Sequence, residues 1–329
     1  MEALHLNIAT SDYDHFRDIA LGRVGVDGAR VNYQIYPIEE VFFRFVRYRE
    51  WDVSEVSFAK FAAIMADGTP DIIGLPVFPS RMFRLASVYV NRKGSIRSGK
   101  DLAGKRIGVP EWAQTAAIYT RGWLSDDLGI PLGAVKWFQA GLNQPGRGEQ
   151  VKFNLPDDVE LRAVAGSSLR DMLRDGEIDA FFSARPPDGM DGPYADIVPM
   201  LTDARSEEAT YFERTGVLPI MHTIAMRREV YERNPWIARN LYKAFSEARA
   251  RSLERIFDRQ ASRIFVPWLP DLAEDGRKLL GASYFPYGIE ENRTCLEVYL
   301  KWCFEQGITK RRLAPEELFA KEIGAAYRV

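Results

Sequence analysis

The sequence is poor in the residues that build metal clusters and disulfide frameworks. It has two cysteines and three histidines in 329 residues. No Cys-x-x-Cys pair and no His-Glu-x-x-His motif occurs, which argues against the common zinc sites. No phosphate-binding glycine loop and no Gly-x-Ser-x-Gly elbow is present either. The chemistry of this chain must therefore rest on ordinary polar side chains.

The sequence has no excess charge of either sign and no long apolar run. Its 44 basic residues nearly balance 46 acidic ones, so no global positive field gathers nucleic acid. The apolar runs fall well short of the roughly 20 residues that span a bilayer. We therefore expect neither a nucleic-acid nor a membrane partner. A symmetric homo-oligomer is common among enzymes of this size.

The first residues, MEALHLNIATSDYDHF, contain no basic leader, no long apolar core and no small-residue cleavage site. This pattern is not that of a secretory signal, and it predicts a cytoplasmic protein. The two cysteines agree with that prediction. Cys295 and Cys303 lie eight apart in a helical pattern, about 12 Å along the axis. That separation excludes a direct disulfide, so we expect two buried thiols.

Short apolar runs alternate with amphipathic runs over the first 200 residues, and the pattern starts again after Asn91. The runs predicted as strands include Leu4–Ala9, Ala29–Tyr36, Ile72–Val77, Phe83–Val90, Arg106–Val109 and Ile178–Phe182. From about Glu229 onward the pattern is mostly helical. Strands that alternate with helices predict an α/β protein with mostly parallel sheet. Because the alternation of strands and helices occurs twice, the sequence indicates two α/β lobes rather than one long sheet.

In open α/β sheets, ligands bind beyond the carboxyl ends of the strands, next to helix N-termini. This rule selects five loops of the chain: Ser11–His15, Asp52–Glu55, Phe78–Arg81, Pro110–Thr115 and Ser183–Arg185. Together they offer arginines, hydroxyls, aromatic rings and carboxylates. Such a mixture suits a small aromatic or carboxylated ligand, because Arg grips a carboxylate and aromatic side chains cover a ring face.

Several of these candidates also have a purely structural interpretation. Arg81 follows a Pro-Ser turn at a strand end, which favours a functional role, although Arg side chains often cover apolar surface. Glu55 could simply place charge at the start of a helix. His222 lies in the apolar run Leu218–Thr223. It is either a hydrogen-bonded core histidine or an acid–base group, since His titrates near neutral pH.

Several segments together resemble the 4,5-dihydroxyphthalate decarboxylase family, which has the type II periplasmic-binding-protein fold. The segments are Val53–Glu55, Pro76–Arg81, Asp101–Val109, Pro110-Glu111, Gly176–Ala180, Pro219–Thr223, Asn234–Trp236, Pro286–Gly288 and Asn292-Arg293. The stretches PVFPSR and PIMHT are specific, whereas GEIDA recurs in many binding proteins. The similar segments are spread over nearly the whole chain.

The resemblance implies a two-lobed α/β fold with a ligand cleft between lobes joined by two crossing strands. The first lobe would be discontinuous, formed by residues 1–88 and 205–329 with the C-terminal helices, and the second would be residues 89–204. The implied activity is decarboxylation of a hydroxylated, phthalate-like aromatic carboxylate, as in phthalate catabolism. No organic cofactor is implied. A divalent metal stays open, because oxygen ligands leave little trace in a sequence.

The mechanism that we expect is protonation of a ring carbon followed by loss of CO₂. His222 is the first candidate for the acid and Glu55 the second. Arg81 and Arg185 would anchor a carboxylate. The hydroxyls expected to position substrate oxygens belong to Ser54, Ser80 and Thr115, and the rings expected to flank the substrate belong to Tyr13 and Trp112. The further expected contacts from the same loops are Asp14, His15 and Glu111.

One segment departs from the family. After Tyr13-Asp14 the family more often carries Arg-Thr, whereas this chain has His15-Phe16. The exchange removes one Arg guanidinium, which could bind a carboxylate through two hydrogen bonds, so the exact substrate stays open. Two other functions also stay open. One is a non-catalytic binding protein or sensor for an aromatic or small carboxylate, and the other is a thiamine-pyrimidine synthase-like enzyme on the same fold.

Overall fold

The computed structural model describes residues 2–324. The chain folds into two compact units. Unit 1 comprises Met1–Arg81, Ile220–Leu296 and Leu313–Val329, and unit 2 comprises Met82–Pro219 and Glu297–Arg312. These limits differ from the predicted ranges 1–88 with 205–329 and 89–204. The segment after residue 204 packs within unit 2, where the Glu208 carboxylate accepts a hydrogen bond from the Ala86 amide, 3.1 Å away.

The described strands, in chain order, are β1 (Leu4–Thr10), β2 (Ala29–Ile35), β3 (Val53–Ser57), β4 (Ile72–Leu75), β5 (Val88–Asn91), β6 (Arg106–Val109), β7 (Lys136–Gly141), β8 (Leu161–Ser168), β9 (Ala180–Phe182), β10 (Ile197–Pro199) and β11 (His222–Arg227). The described α-helices are α1 (Arg17–Ala20), α2 (Ile38–Tyr48), α3 (Phe58–Ala66), α4 (Thr115–Gly122), α5 (Leu169–Arg174), α6 (Ala204–Thr215), α7 (Arg228–Arg233), α8 (Trp236–Phe257), α9 (Leu269–Leu280), α10 (Arg293–Glu305) and α11 (Lys321–Gly324). The prediction of two α/β lobes is confirmed.

The sheet of unit 1 has the strand order β2-β1-β3-β11-β4. β1 runs parallel to both β2 and β3, and β11 pairs antiparallel with β3 and with β4. β3 is the central strand, and all five of its residues are buried. Arg81 and Ile220, the residues at which the chain leaves and re-enters this unit, pair as an antiparallel bridge.

The helices of unit 1 follow from simple sequence signals. α2 begins after Pro37 with Glu39 and Glu40 in its first turn, where negative charge suits the helix dipole. Its Val41 and Phe45 are buried four residues apart, as on one helix face. α8 buries a similar stripe along its length: Ile237, Leu241, Phe245, Ala248 and Ser252. This stripe packs α8 onto the turn at residues 14–16 that follows β1.

The sheet of unit 2 has the strand order β10-β5-β9-β6-β7-β8. Its core strands β9, β6, β7 and β8 are parallel, and β5 and β10 are antiparallel additions. The prediction of a single strand over Phe83–Val90 is wrong. Leu85–Ser87 form a 3₁₀ turn, and the strand runs over Val88–Asn91 instead. α5 begins after Ser168, whose side chain caps the helix by accepting a hydrogen bond from the Asp171 amide.

Two further findings concern the described part of the chain. None of its helices is long and apolar enough to span a membrane. Cys295 and Cys303 are each buried and form no disulfide, as predicted from their spacing.

Candidate active site

The strand register of unit 1 brings Glu55 and His222 together. β11 pairs antiparallel with β3 so that His222 lies opposite Ser57 and Ile224 lies opposite Glu55. Side chains two residues apart on a strand share a face, so His222 is the diagonal neighbour of Glu55 on the same face of the sheet. The His222 Nδ1 atom lies 2.7 Å from the Glu55 Oε1 atom. Two residues 167 positions apart in the chain thus form one pair.

Glu55 is completely buried and is surrounded by hydrogen-bond donors. The Tyr13 hydroxyl donates to Oε1 at 2.6 Å, and the Ser11 amide donates to Oε2 at 2.9 Å. With His222 Nδ1 as the third neighbour, the carboxyl group acts as an acceptor on both oxygens. The His222 side chain is 19% exposed, whereas that of Glu55 is 0% exposed. A ligand that reaches this pair therefore meets the imidazole first, with its Nε2 edge free of Glu55.

Tyr13 completes the group. Its hydroxyl lies 3.3 Å from His222 Nδ1 as well as beside Glu55, and it also hydrogen-bonds the Ser80 side chain. Burial, and then the neighbouring Glu55 charge, raise the pKa of Tyr13 far above its ordinary value. The phenol therefore keeps its proton and acts as a donor. The ring edge of Phe42 from α2 supports the imidazole, with 4.8 Å between the ring centroids.

In the loop after Tyr13, Asp14 contacts α8 and His15 packs against the Tyr13 ring. The Asp14 carboxylate accepts the Ser252 hydroxyl at 2.5 Å and pairs with Arg255 at 3.3 Å, so it ties the loop to α8. His15 packs against the Tyr13 ring at a centroid distance of 5.0 Å. Burial lowers the pKa of His15 to about 4 from an ordinary value of 6.5, although Glu55 and Asp14 oppose the shift. His15 is thus a neutral imidazole near pH 7.

We expect His15 to make the folded protein sensitive to acid. Between pH 6.5 and about 4, the unfolded chain binds a proton at His15 and the folded chain does not, so the free energy of unfolding falls as the pH falls. His15→Gln removes this contribution. The stability difference between wild type and variant should shift by up to about 3 kcal/mol between pH 7 and pH 4.

Urea denaturation of both proteins at several pH values measures this shift. The control is His5→Gln, since His5 is exposed on β1. Parallel stability curves for wild type and His15→Gln would contradict the assignment of a buried, neutral His15.

The other sequence-predicted residues of unit 1 lie in the surrounding backbone. Ser54 is fully buried, and its hydroxyl donates to the Glu55 carbonyl oxygen at 3.0 Å. The Ser80 carbonyl accepts the Met221 amide, which ties Phe78–Arg81 to the start of β11. The Arg81 guanidinium donates to Asn292 Oδ1 at 2.6 Å and lines a cavity of this unit. Arg81 is therefore positioned by the C-terminal part of unit 1.

In unit 2, the predicted residues gather at the carboxyl ends of the parallel strands β6 and β9. Glu111, Trp112 and Thr115 lie in the turn from β6 into α4, and Arg185 follows β9. The Ala184 amide donates to the Gln114 side chain at 3.3 Å, which brings these two loops together. Thr115 is buried, and Arg185 is exposed. This edge is where the strand-end rule places ligand contacts.

Trp112 is a packing residue of unit 2 in this structure. Its side chain is 0% exposed, and its indole N–H donates to the Gln306 carbonyl oxygen at 2.9 Å. The Arg121 guanidinium covers its ring at 3.8 Å from the centroid, and Trp137 meets it edge-on. Because Trp112 lies at a strand-to-helix turn, we predicted that its ring faces a ligand. That prediction is wrong, since the indole points into unit 2 and is covered by buried Arg121.

Two acidic side chains lie close together at this edge of unit 2. Glu111 pairs with Arg147 at 2.6 Å. The Glu149 carboxylate accepts the backbone amides of Trp112 and Ala113 ahead of α4. Burial, and then the charge of Glu111, raise the pKa of Glu149 to about 7. Arg147 and Glu149 were not predicted as site residues, because their loop matches no phosphate-binding pattern and carries no other local signal.

Taken by itself, the group in unit 1 is arranged for proton transfer. An imidazole that is partly open to solvent is backed by a buried carboxylate, which fixes the ring orientation. Within residues 2–324, no group of three or more His, Cys, Asp or Glu side chains is arranged to hold a metal ion.

Sequence reasoning missed three residues around Arg81: Arg249 and Tyr287, which line the same cavity, and Asn292, which accepts a hydrogen bond from the Arg81 guanidinium. Arg249 lies in the middle of α8, and no local pattern sets it apart from the other arginines of that helix. Tyr287 and Asn292 do lie in segments that carried the family resemblance, Pro286–Gly288 and Asn292-Arg293. That clustering was the one signal that pointed to them.

Comparisons with known proteins were made last. No protein-family model matches the chain. The chain is 36% identical over 320 residues to the 4,5-dihydroxyphthalate decarboxylase of Comamonas testosteroni, which covers 97% of both proteins. It is 38% identical over 188 residues to the enzyme of that name from Pseudomonas putida, which covers 57% of this chain and 73% of the relative.

Solved structures were compared as well. The periplasmic aliphatic sulphonate binding protein SsuA from Escherichia coli aligns at a TM-score of 0.49 and 12% identity, covering 97% of this chain and 92% of that one. The desulfurization enzyme DSZB aligns at a TM-score of 0.47 and 14% identity, covering 96% and 97%.

Proposed function

The chain belongs to the 4,5-dihydroxyphthalate decarboxylase family, and we propose that it is a carboxy-lyase that removes CO₂ from a hydroxylated, phthalate-like aromatic acid. The observation that carries this proposal is the His222–Glu55 pair, in which an accessible imidazole is backed by a buried carboxylate. A proton donor of this kind is what decarboxylation of an electron-rich ring requires.

The reaction needs a proton and an electron-rich ring carbon. A hydroxyl group para to the carboxylate pushes electron density onto the carbon that bears that carboxylate. The enzyme transfers a proton to this carbon, which forms a C–H bond. The C–C bond to the carboxylate then breaks, its electron pair restores the aromatic ring, and CO₂ leaves. The net change consumes one proton, which the acid recovers from water.

His222 is the proposed acid, acting through Nε2. The Glu55 Oε1 atom accepts a hydrogen bond from His222 Nδ1 and so fixes the ring orientation. Glu55 itself is the less suitable acid, since it is fully buried behind the imidazole. Tyr13 stays protonated and donates to Glu55, which makes it a positioning residue. This assignment orders the two candidates that the sequence had left open.

We propose that arginine side chains bind the carboxylates of the substrate. Arg81 in unit 1 and Arg185 in unit 2 remain the candidates, because a guanidinium grips a carboxylate with two hydrogen bonds. Ser80 and Thr115 are proposed to position ring oxygens. The family's Arg is replaced by His15, which is neutral near pH 7. We therefore expect the pattern of carboxylates on the preferred substrate to differ from that of relatives that carry the Arg.

A substrate panel tests the proposal. Purified protein is incubated with hydroxylated benzene dicarboxylates and monocarboxylates, with and without added divalent metal, while CO₂ release and thermal stability are measured. We expect CO₂ from at least one hydroxylated phthalate. A raised melting temperature without CO₂ from any compound would overturn the carboxy-lyase proposal and favour a binding protein.

A further inference from the structure

Unit 1 contains a cavity whose wall does not include the His222–Glu55 pair. A cavity of about 290 Å³ lies between α8, α9 and the loops at residues 78–81 and 284–287. Its wall is mainly apolar and is formed by Phe78, Leu253, Ile256, Leu269, Ala273 and Phe285. Neither Glu55 nor His222 lines it.

At the polar end of this cavity, several buried polar atoms have unused hydrogen-bonding capacity. Three residues that line it each carry a buried polar atom with no hydrogen-bond partner in the described part of the chain: His15 Nε2, Arg249 Nε and Tyr287 Oη. A buried polar atom that stays unpaired destabilises the folded protein. Three of them around one cavity indicate that a molecule with matching polar groups belongs there.

The same residues are otherwise held in place. Arg249 Nη1 donates to the carbonyl oxygens of residues 283–285, at 2.9 to 3.1 Å. Its guanidinium also lies 5.1 Å from the centroid of the Tyr287 ring. The remaining Nε–H and the Tyr287 hydroxyl are thus presented on a fixed framework. Such pre-organisation lowers the entropic cost of binding.

The charges around the cavity select the ligand. Arg81 and Arg249 both line it, and none of its lining side chains is a carboxylate. His15 is neutral and contributes an acceptor rather than charge. The cavity therefore favours an anion with an apolar body. A cavity of roughly 150 Å³ can hold benzene, so this one has room for a single ring and a carboxylate.

We propose that this cavity is a binding site for a monocyclic aromatic monocarboxylate, with the ring among the α8 and α9 side chains and the carboxylate at Arg249 and Tyr287. The site shares Arg81 with the proposed carboxylate anchors, but it does not depend on proton transfer by His222. It does adjoin the reactive group, because the His15 ring packs on Tyr13, whose hydroxyl bonds Glu55.

Fluorine NMR with 4-fluorobenzoate as the probe tests the proposal on the full-length protein. Ala273→Phe places a ring inside the cavity, since Ala273 is buried and lines it. Lys278→Phe adds the same ring on the exposed side of α9 and serves as the matched control. We expect saturable binding in the wild type and in Lys278→Phe, and at least tenfold weaker binding in Ala273→Phe.

One more variant keeps the test decisive if Ala273→Phe folds poorly. Tyr287→Phe removes only the hydroxyl and should weaken binding about tenfold, as loss of a hydrogen bond to a charged group does. Unchanged affinity in both cavity variants would overturn the proposal. Absence of saturable binding in the wild type, or an equal loss of affinity in Lys278→Phe, would do so as well.

Discussion

Replacing His222 with Gln is expected to lower kcat for CO₂ release about a thousandfold, within the range of general acid catalysis. Gln keeps the side-chain size roughly and can still hydrogen-bond Glu55, but it cannot deliver a proton to carbon. Because the proposed carboxylate anchors are other residues, KM or the dissociation constant should change by less than a few-fold. Steady-state kinetics together with a direct binding measurement separate these two effects.

The chain offers a matched control for this variant. His5 is exposed on β1 of the same unit, and His5→Gln makes the same chemical change away from the site. His5→Gln should retain wild-type kcat. Full activity in His222→Gln would remove His222 from the mechanism and would leave Glu55 as the remaining acid candidate.

Replacing Glu55 with Gln should reduce kcat about a hundredfold and leave KM within a few-fold, because the amide holds the imidazole less firmly than the carboxylate does. Steady-state kinetics measure both constants. A purely structural role for Glu55 would lower the fraction of folded protein instead, which circular dichroism reports.

The control for this second variant is Glu40→Gln on α2, whose carboxylate is 44% exposed and pairs with Arg44. It removes the same charge from the same unit at a distance from the imidazole. Wild-type kcat in Glu55→Gln would contradict the positioning role. An equal loss of kcat in Glu40→Gln would mean that net charge, rather than the His222–Glu55 contact, is responsible.

The pairing of His222 with Glu55 illustrates what the sequence could predict. The apolar run Leu218–Thr223 marked the segment that contains His222. The strand-end rule selected Glu55, but the prediction that Asp52–Glu55 is a loop is wrong, because Val53–Ser57 form the buried central strand β3. The sequence could not predict that β11 inserts between β3 and β4 in an antiparallel sense. That insertion decides which residue of β3 meets His222, because a shift by one residue would turn its side chain to the other face.

Trp112 and Arg249 show why the remainder was not predictable. A strand-to-helix turn fixes where Trp112 lies along the chain, but Arg121 and Gln306 determine that its indole packs inward. Arg249 lies on a regular helix, and its guanidinium is held by hydrogen bonds to carbonyl oxygens of the distant loop at residues 283–285. Both outcomes depend on contacts between distant segments, which local periodicity does not encode.

Decarboxylation of 4,5-dihydroxyphthalate in D₂O, with CO₂ quantified and the ring protons of the product followed by NMR, tests whether His222 protonates the ring carbon. We expect one CO₂ per substrate consumed and deuterium at the carbon that lost its carboxylate, at equal rates for wild type and His5→Gln. His222→Gln should leave the substrate essentially unchanged over the same time. Deuterated product from His222→Gln at the wild-type rate would contradict this mechanism. So would a wild-type protein that releases no CO₂ from this or any other hydroxylated phthalate.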